Sequence, residues 1–172
     1  DDKCNSVALR YFNPIGSHSS ALIGDCSADR ASNLVPIITE TAIGKREKII
    51  VFGNDYNTHD GTCIRDYIHV LDLAKSHVLA MNFILNKEGK HVFNVGTGVG
   101  VSVLDAIKAF EKANNLKVNF SIGTRRNGDI EQIYANGSFV KNKLGWEAEE
   151  TLEQAMKSAW NWEKGKNKNV KK

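Results

Sequence analysis

Cysteine is scarce in this chain and poorly placed for structure. Three residues, Cys4, Cys26 and Cys63, are scattered over 172 positions. No two have the C-x-x-C spacing of a zinc site or redox pair, and an odd number fits no closed disulfide framework. A reducing cytoplasm is the expected setting. The five histidines form neither an H-x-x-x-H nor an H-E-x-x-H pattern, so no metal site is expected. No apolar run approaches the length needed to span a bilayer, so no membrane is expected as a partner. The start, Asp1-Asp2-Lys3-Cys4-Asn5-Ser6, is polar and acidic and does not read as a signal peptide.

Catalytic signatures are also missing. None of the four tyrosines, Tyr11, Tyr56, Tyr67 and Tyr134, has a lysine four positions later. The Tyr-x-x-x-Lys pair, in which the lysine lowers the phenol's pKa to make a base, is therefore not in this chain. There is no G-x-S-x-G elbow, and His69, Asp72 and Ser76 would line one helix start rather than converge as a triad. Gly96-Thr97-Gly98-Val99-Gly100 follows a strand and precedes a helix, yet Val101 breaks the G-x-G-x-x-G spacing. A tight strand-to-helix turn is expected there, not a dinucleotide cradle.

What is present is an ordinary globular balance. Hydrophobic residues make up 41% and charged residues 25%, enough to bury a core of one-domain size. The net charge of +3 gives no focused patch for nucleic acid. The lysines do gather at the end: Lys164, Lys166, Lys168, Lys171 and Lys172 lie in a Gly/Asn-rich stretch. Residues 164–172 are expected to form a basic flexible tail after a folded region, 1–163.

Strand patterns alternate with helix patterns, so the class is α/β. Val7 to Phe12, Ile49 to Phe52, His91 to Val95 and Val118 to Ile122 read as strands, and a polar loop, Tyr56 to Thr62, leads into Ile64 to Val70. Asn13-Pro14 should end the first strand, because Pro14 has no amide donor. Ser17 to Ser32 reads as a long surface loop. Asn33 stands at an N-cap position before Leu34, Ile37, Ile38, Thr41 and Ala42 at helical spacing, with Gly44 as the stop. Asp72 should open a helix whose apolar stripe is Leu73, His77, Val78, Ala80, Met81 and Ile84. Ser102 with Asp105 resembles a capping box. Two more helices are expected, from Ser138 to Leu144 and from Thr151 to about Lys164.

Three stretches carry a resemblance. Leu9-Arg10-Tyr11-Phe12-Asn13-Pro14-Ile15-Gly16-Ser17-His18 resembles the LRYFNPxGAH block of UDP-galactose (UDP-glucose) 4-epimerases. Val51 to Tyr56, Asp60-Gly61-Thr62 and Arg65 to Val70 resemble their FGNDYxTxDGTxxRDYIHV block. Arg125-Arg126-Asn127-Gly128-Asp129 resembles their RRxGD loop. The likeness runs from about residue 7 to about residue 162. It implies the C-terminal part of an extended short-chain dehydrogenase, with a few strands of the Rossmann sheet and a small mixed α/β region that holds a UDP-sugar. The family oxidises C4 of the hexose with bound NAD, turns the keto-sugar over and returns the hydride.

Carried over residue by residue, the resemblance implies these roles. Arg65 and Arg126 grip the diphosphate, as guanidinium forks suit phosphate oxygens. Asp66 is the candidate partner if Arg65 makes only an ion pair, and Arg125 should face away from the site. Asp129 accepts from a ribose hydroxyl. Phe52 packs on uracil, with Ile50 and Val51 offering backbone groups to the base edge. Asn33 and Leu34 meet the diphosphate at a helix start. Asn13 bonds the substrate, and the backbone of Phe12 lies against the nicotinamide of NAD. Ile133 falls at the gate for N-acetylated hexoses. The chain departs from the family at Ser32, where the family usually has a second Asn, and in the loop around Ser19-Ser20-Ala21 and Asp25-Cys26.

No catalytic residue is expected in this chain. The NAD-binding half, with its glycine fingerprint and Tyr-x-x-x-Lys, is absent from the sequence. UDP-galactose or UDP-glucose is the expected ligand and the missing half the expected partner. A homodimer is possible for the full-length enzyme. Alone, the chain should be inactive. Two other readings are a non-catalytic UDP-sugar-binding or interaction module, and part of another UDP-sugar-modifying short-chain dehydrogenase.

Overall fold

The computed structural model describes residues 4–26 and 31–169. Nine short strands and five helices occur among them. β1 (Ser6–Tyr11) pairs in parallel with β6 (Lys90–Val95), from Ser6 against Lys90 to Tyr11 against Val95. The chain then turns at Phe12 into β2 (Asn13–Ile15), which runs parallel to β5 (Tyr67–His69). β3 (Ile49–Phe52) lies parallel to β8 (Phe120–Gly123). β4 (Ile64–Arg65) is flanked by β7 (Val101–Ser102) and β9 (Gln132–Ile133). The α/β class is as expected.

β1 ends at Tyr11, just before Asn13-Pro14, as expected, but Pro14 itself lies in a further strand. It sits inside β2, paired with Ile68. Among the described residues β2 pairs only with β5, so a missing amide on its other edge costs nothing. Short β7 and β9 had no sequence pattern strong enough to show, since two residues carry no period.

The helices are α1 (Leu34–Ala42), α2 (Val70–Ile84), α3 (Val103–Asn114), α4 (Ser138–Leu144) and α5 (Leu152–Asn169). Their ends follow local chemistry. Ser102 Oγ accepts from Asp105 N at 3.0 Å and starts α3. Gly145 closes α4 in the left-handed conformation, at φ 65°, which glycine adopts without strain. α2 begins earlier than Asp72 suggested: His69 caps it, its Nδ1 accepting from Leu71 N at 3.0 Å. Asp72 is instead fully buried and accepts from the amides of Glu149 and Glu150. α5 runs through Asn169, past the expected boundary at residue 163. Lys171 and Lys172 of the expected tail lie outside the described residues.

The main core packs α1, α3 and α5 against β3. Val35, Ile38, Ile49, Val51, Ala106, Ile107, Phe110, Ala155 and Met156 are buried together. A smaller cluster under β1 and β6 joins Ile68, Leu73, Phe93, Val95, Val140 and Trp146. The expected stripe of α2 is only half covered. Leu73 and Ala80 are buried, whereas Val78 and Met81 are 55% and 57% exposed. Tyr11 and Val92 on β1 and β6 are exposed as well. A helical stripe buries only where a neighbour covers it, and no described element lies over this part of α2.

Candidate nucleotide-binding cleft

β3 alternates strictly. Ile49 and Val51 point into the core, while Ile50 and Phe52 emerge on the other side. Among the described residues β3 pairs only with β8, so one backbone edge is unpaired. That edge borders a cleft of about 250 Å³ between β3, the start of α1, β4 and the loop after β8. A β-strand edge with free donors and acceptors can read a planar heterocycle.

Two cations enter this cleft from distant parts of the chain. Arg65 is mostly buried and held from behind: its Nη1 donates to the carbonyls of Ile64 (2.8 Å) and Ile130 (2.7 Å). Its Nη2 lies 3.7 Å from Asp129 Oδ1. Arg126 donates through Nε to Asp129 Oδ2 at 3.0 Å and through Nη2 to Oδ1 at 3.3 Å. Its guanidinium also stacks on Phe52, 4.7 Å from the ring centroid. One carboxylate thus holds two guanidinium groups beside one aromatic face.

The first turn of α1 points into the same cleft. Asn33 is its N-cap in extended geometry, but its side chain makes no capping bond. The first amides of the helix have no intrahelical partner and, with the helix dipole, favour an anion. Asn13 lines the opposite wall, its amide bonded to the carbonyl of Asp66 at 3.0 Å. Nine of the expected substrate residues therefore line one cleft: Asn13, Asn33, Leu34, Ile50, Val51, Phe52, Arg65, Arg126 and Asp129. Ile133 lies outside the lining, on β9 beside Arg65. Phe12 ends β1, donating its amide to Val95 O at 3.2 Å. Sequence reasoning missed Cys63 and Tyr67, which also line the cleft. Tyr67 follows Arg65 by two residues in extended chain, a spacing that places both on one side. Burial pushes the Tyr67 phenol up, with Arg65 opposing the shift.

Asp66 is not the partner of Arg65. It is fully buried and faces the other way. Its carboxylate accepts from Thr97 N (2.9 Å), Thr97 Oγ1 (2.7 Å), Gly98 N (3.0 Å) and Ala135 N (3.1 Å). This also settles the role of the Gly96 to Gly100 turn. Two of the amides that could cradle a phosphate are spent on Asp66, and a Cβ on Gly96 would lie 2.5 Å from its Oδ2. His69, Asp72 and Ser76 do not converge: His69 Nε2 meets Ser158 Oγ at 3.2 Å, and Ser76 Oγ donates to Leu73 O.

Two other features of the structure have the makings of a site. A larger, more apolar cavity of about 420 Å³ lies between the Gly16 to Asp25 loop, α1, α2 and α5. It holds none of the expected substrate residues, and its Glu163 is paired with Lys45 at 2.7 Å. The cleft with two guanidinium groups is the better candidate, because charge complementarity rather than volume selects an anion. His59, Asp60 and Asp105 lie close together at the start of α3. Asp60 accepts from Thr62 and Ser102, and Asp105 pairs with His59 and Lys108, so the group reads as an ion-pair network.

Comparison with known proteins decides the family. The family described as GDP-mannose 4,6 dehydratase matches residues 2–159. The chain belongs to this family. Within it, UDP-glucose 4-epimerase of Haemophilus influenzae is 49% identical over 164 residues, covering 95% of this chain and 48% of that protein. The Homo sapiens UDP-glucose 4-epimerase is 45% identical, with 95% and 47% covered. Among solved structures, the Stenotrophomonas maltophila UDP-glucose-4-epimerase with bound NAD and formylated UDP-arabinopyranose superposes with a TM-score of 0.93. It is 44% identical, and 95% of this chain and 48% of that one are covered. The Bifidobacterium longum UDP-glucose 4-epimerase in complex with NAD+ and UDP gives 0.92 at 46% identity, with 98% and 50% covered. This family member thus has the fold of the epimerases and spans about half the length of the relatives it matches.

Proposed function

We infer that this chain is the nucleotide-sugar-holding half of an NAD-dependent UDP-glucose 4-epimerase. One observation carries the reading: Arg65 and Arg126 converge on Asp129 beside the ring of Phe52. A uracil ring fits between Phe52 and the open edge of β3. The diphosphate lies over the two guanidinium groups and the start of α1. Arg65 supplies a fixed fork, held by two carbonyls. Arg126 is 57% exposed at its side chain and swings from Asp129 to the phosphate. Asp129, once relieved of its cations, accepts from a ribose hydroxyl. Asn13 and Ile133 border the sugar.

The parallel strands β1 and β6 end on one side, at Tyr11 and Val95. Ligands of open α/β sheets sit at such carboxyl ends, so Phe12 fits beside a nicotinamide. The Gly96 to Gly100 turn does not fit a pyrophosphate, as its amides serve Asp66. NAD bound beside Phe12 would supply the hydride acceptor and donor for C4 of the hexose. This chain's own contribution is to hold the UDP end while the sugar turns.

The remaining half is the proposed partner. A two-stranded parallel pair is rarely stable alone, and Tyr11 and Val92 on these strands, with Val78 and Met81 on α2, are exposed. The free thiols of Cys4, Cys26 and Cys63 accord with a cytoplasmic setting. Calorimetric titration of the 172-residue chain with UDP tests the binding claim, and heat of binding is expected. Incubation with UDP-galactose and NAD tests the rest. No UDP-glucose should form; turnover would disprove the assignment of catalysis to the other half.

A further inference from the structure

We propose that Arg125 is a positioning residue for the diphosphate site, acting through Tyr56 and Asp55 rather than by touching the ligand. This rests on the nucleotide-sugar reading above and extends it to a residue outside the cleft lining.

Arg125 and Arg126 are neighbours in an extended loop, so their side chains leave on opposite sides. Arg126 goes to Phe52 and Asp129. Arg125 goes back to the turn that follows β3. Its guanidinium carbon lies 4.0 Å from the Tyr56 ring centroid. Its Nε donates to Asp55 Oδ1 at 2.6 Å, and its Nη2 donates to the Asp55 carbonyl. The bond from Arg125 holds the Asp55 carboxyl below its usual range. Tyr56 itself is buried, and burial followed by the adjacent Cys63 thiol raises its phenol.

Gly53 makes the close packing possible. It has φ +83°, and a Cβ there would lie 2.7 Å from Tyr56 Cε2 and 2.8 Å from Arg125 Cγ. Gly53 also follows Phe52 directly and donates its amide to Gly123 O at 2.9 Å. Two arginine–aromatic stacks, Arg125 on Tyr56 and Arg126 on Phe52, therefore straddle Gly53. The Arg125 stack fastens the loop after β8 to the turn after β3. The loop residue next to it is then presented to Phe52 and the phosphate in one geometry. A phosphate-binding side chain on an unfastened loop loses affinity by the entropy of ordering it at binding.

Binding of UDP and of uridine to the 172-residue chain separates this role from its alternatives. For Arg125→Ala, UDP affinity should fall roughly three- to tenfold while uridine affinity stays at the wild-type value. Tyr56→Leu should give the same selective loss, and the double variant should lose no more than either single one, because both break one tether. Arg125→Lys keeps the charge but cannot form the fork or the flat stack, so it should behave like Arg125→Ala. A wild-type response from Arg125→Lys would overturn the proposal in favour of a long-range charge effect. Equal losses for uridine and UDP, or additive losses in the double variant, would also overturn it. Failure of the wild-type chain to bind UDP would instead sink the nucleotide-sugar reading. If Arg125→Ala does not fold, the Lys variant and Tyr56→Leu decide the matter.

Discussion

Arg65 and Arg126 meet on the carboxylate of Asp129, one approaching Oδ1 at 3.7 Å and the other bonding Oδ2 at 3.0 Å. Two like charges so close would repel without the anion between them. In the proposed complex a second anion takes the place of that carboxylate between the same two guanidinium groups. Charge-assisted bonds of this kind contribute about 1.5–3 kcal/mol each. Arg65→Ala should weaken UDP binding by roughly 10- to 100-fold, measured by titration calorimetry. Arg126→Ala should fall at the lower end, because its side chain is more exposed and better screened. Unchanged affinity in both variants would remove diphosphate binding from this cleft.

Phe52 offers a separable test, since the proposed pose sets it against the base and not against the phosphates. Phe52→Ala should weaken uridine and UDP alike, by about 1–3 kcal/mol, the usual worth of a base stacked on an aromatic ring. The ring is 38% exposed, so thermal stability should change little. A selective loss of UDP with uridine unaffected would mean that Phe52 serves only as the seat of Arg126.

Much of the cleft was legible in the sequence because its residues sit in three blocks with strong local character. The alternation of Ile49-Ile50-Val51-Phe52 already separates core from cleft. The pairing of Arg65 with Arg126 was not readable from spacing; it came from the likeness to a known family. Local chemistry misled where tertiary context decided. Asn13-Pro14 marks the end of β1 as its chemistry implies, but gave no sign that Pro14 itself lies in a second short strand, β2. Asp66 stands next to Arg65 in sequence, yet successive residues of an extended chain face opposite ways, and Asp66 turns to the Gly96 to Gly100 turn. The apolar stripe of α2 is plain as a pattern, but Val78 and Met81 stay exposed because no described element covers them.

Asp66 should matter for stability more than any residue of the cleft. Its two oxygens receive four hydrogen bonds from Thr97, Gly98 and Ala135. In Asp66→Asn one oxygen becomes an amide donor and confronts the amides of Gly98 and Ala135, or the donors of Thr97. Buried donors without acceptors cost about 1–3 kcal/mol each. The variant should lose about 3 kcal/mol or more in urea unfolding. A loss below about 1 kcal/mol would mean that the turn rearranges freely and is not held by this carboxylate.

His69 sets the response to mild acid. It is almost fully buried, with Nδ1 accepting from Leu71 N and Nε2 facing Ser158 Oγ. With Nδ1 as acceptor, the ring proton belongs on Nε2, and a second proton would break the cap of α2. Burial lowers its pKa below 6.5; nearby Glu150 and Asp72 oppose the shift and Lys75 adds to it. At pH values just under 6.5 the unfolded chain takes up a proton that the folded chain refuses. Stability is thus complete above that value and declines as pH falls through the folded pKa. The lowered carboxyls of Asp60, Asp105 and Glu111 act in the same direction, but only near and below their ordinary values of 3.8 and 4.5. Urea unfolding between about pH 7.5 and about pH 5 should therefore isolate the histidine. Wild type should lose stability across that range, and His69→Gln, less stable at the upper end, should show a flatter profile. Parallel profiles for the two proteins would exclude His69 as the titrating group.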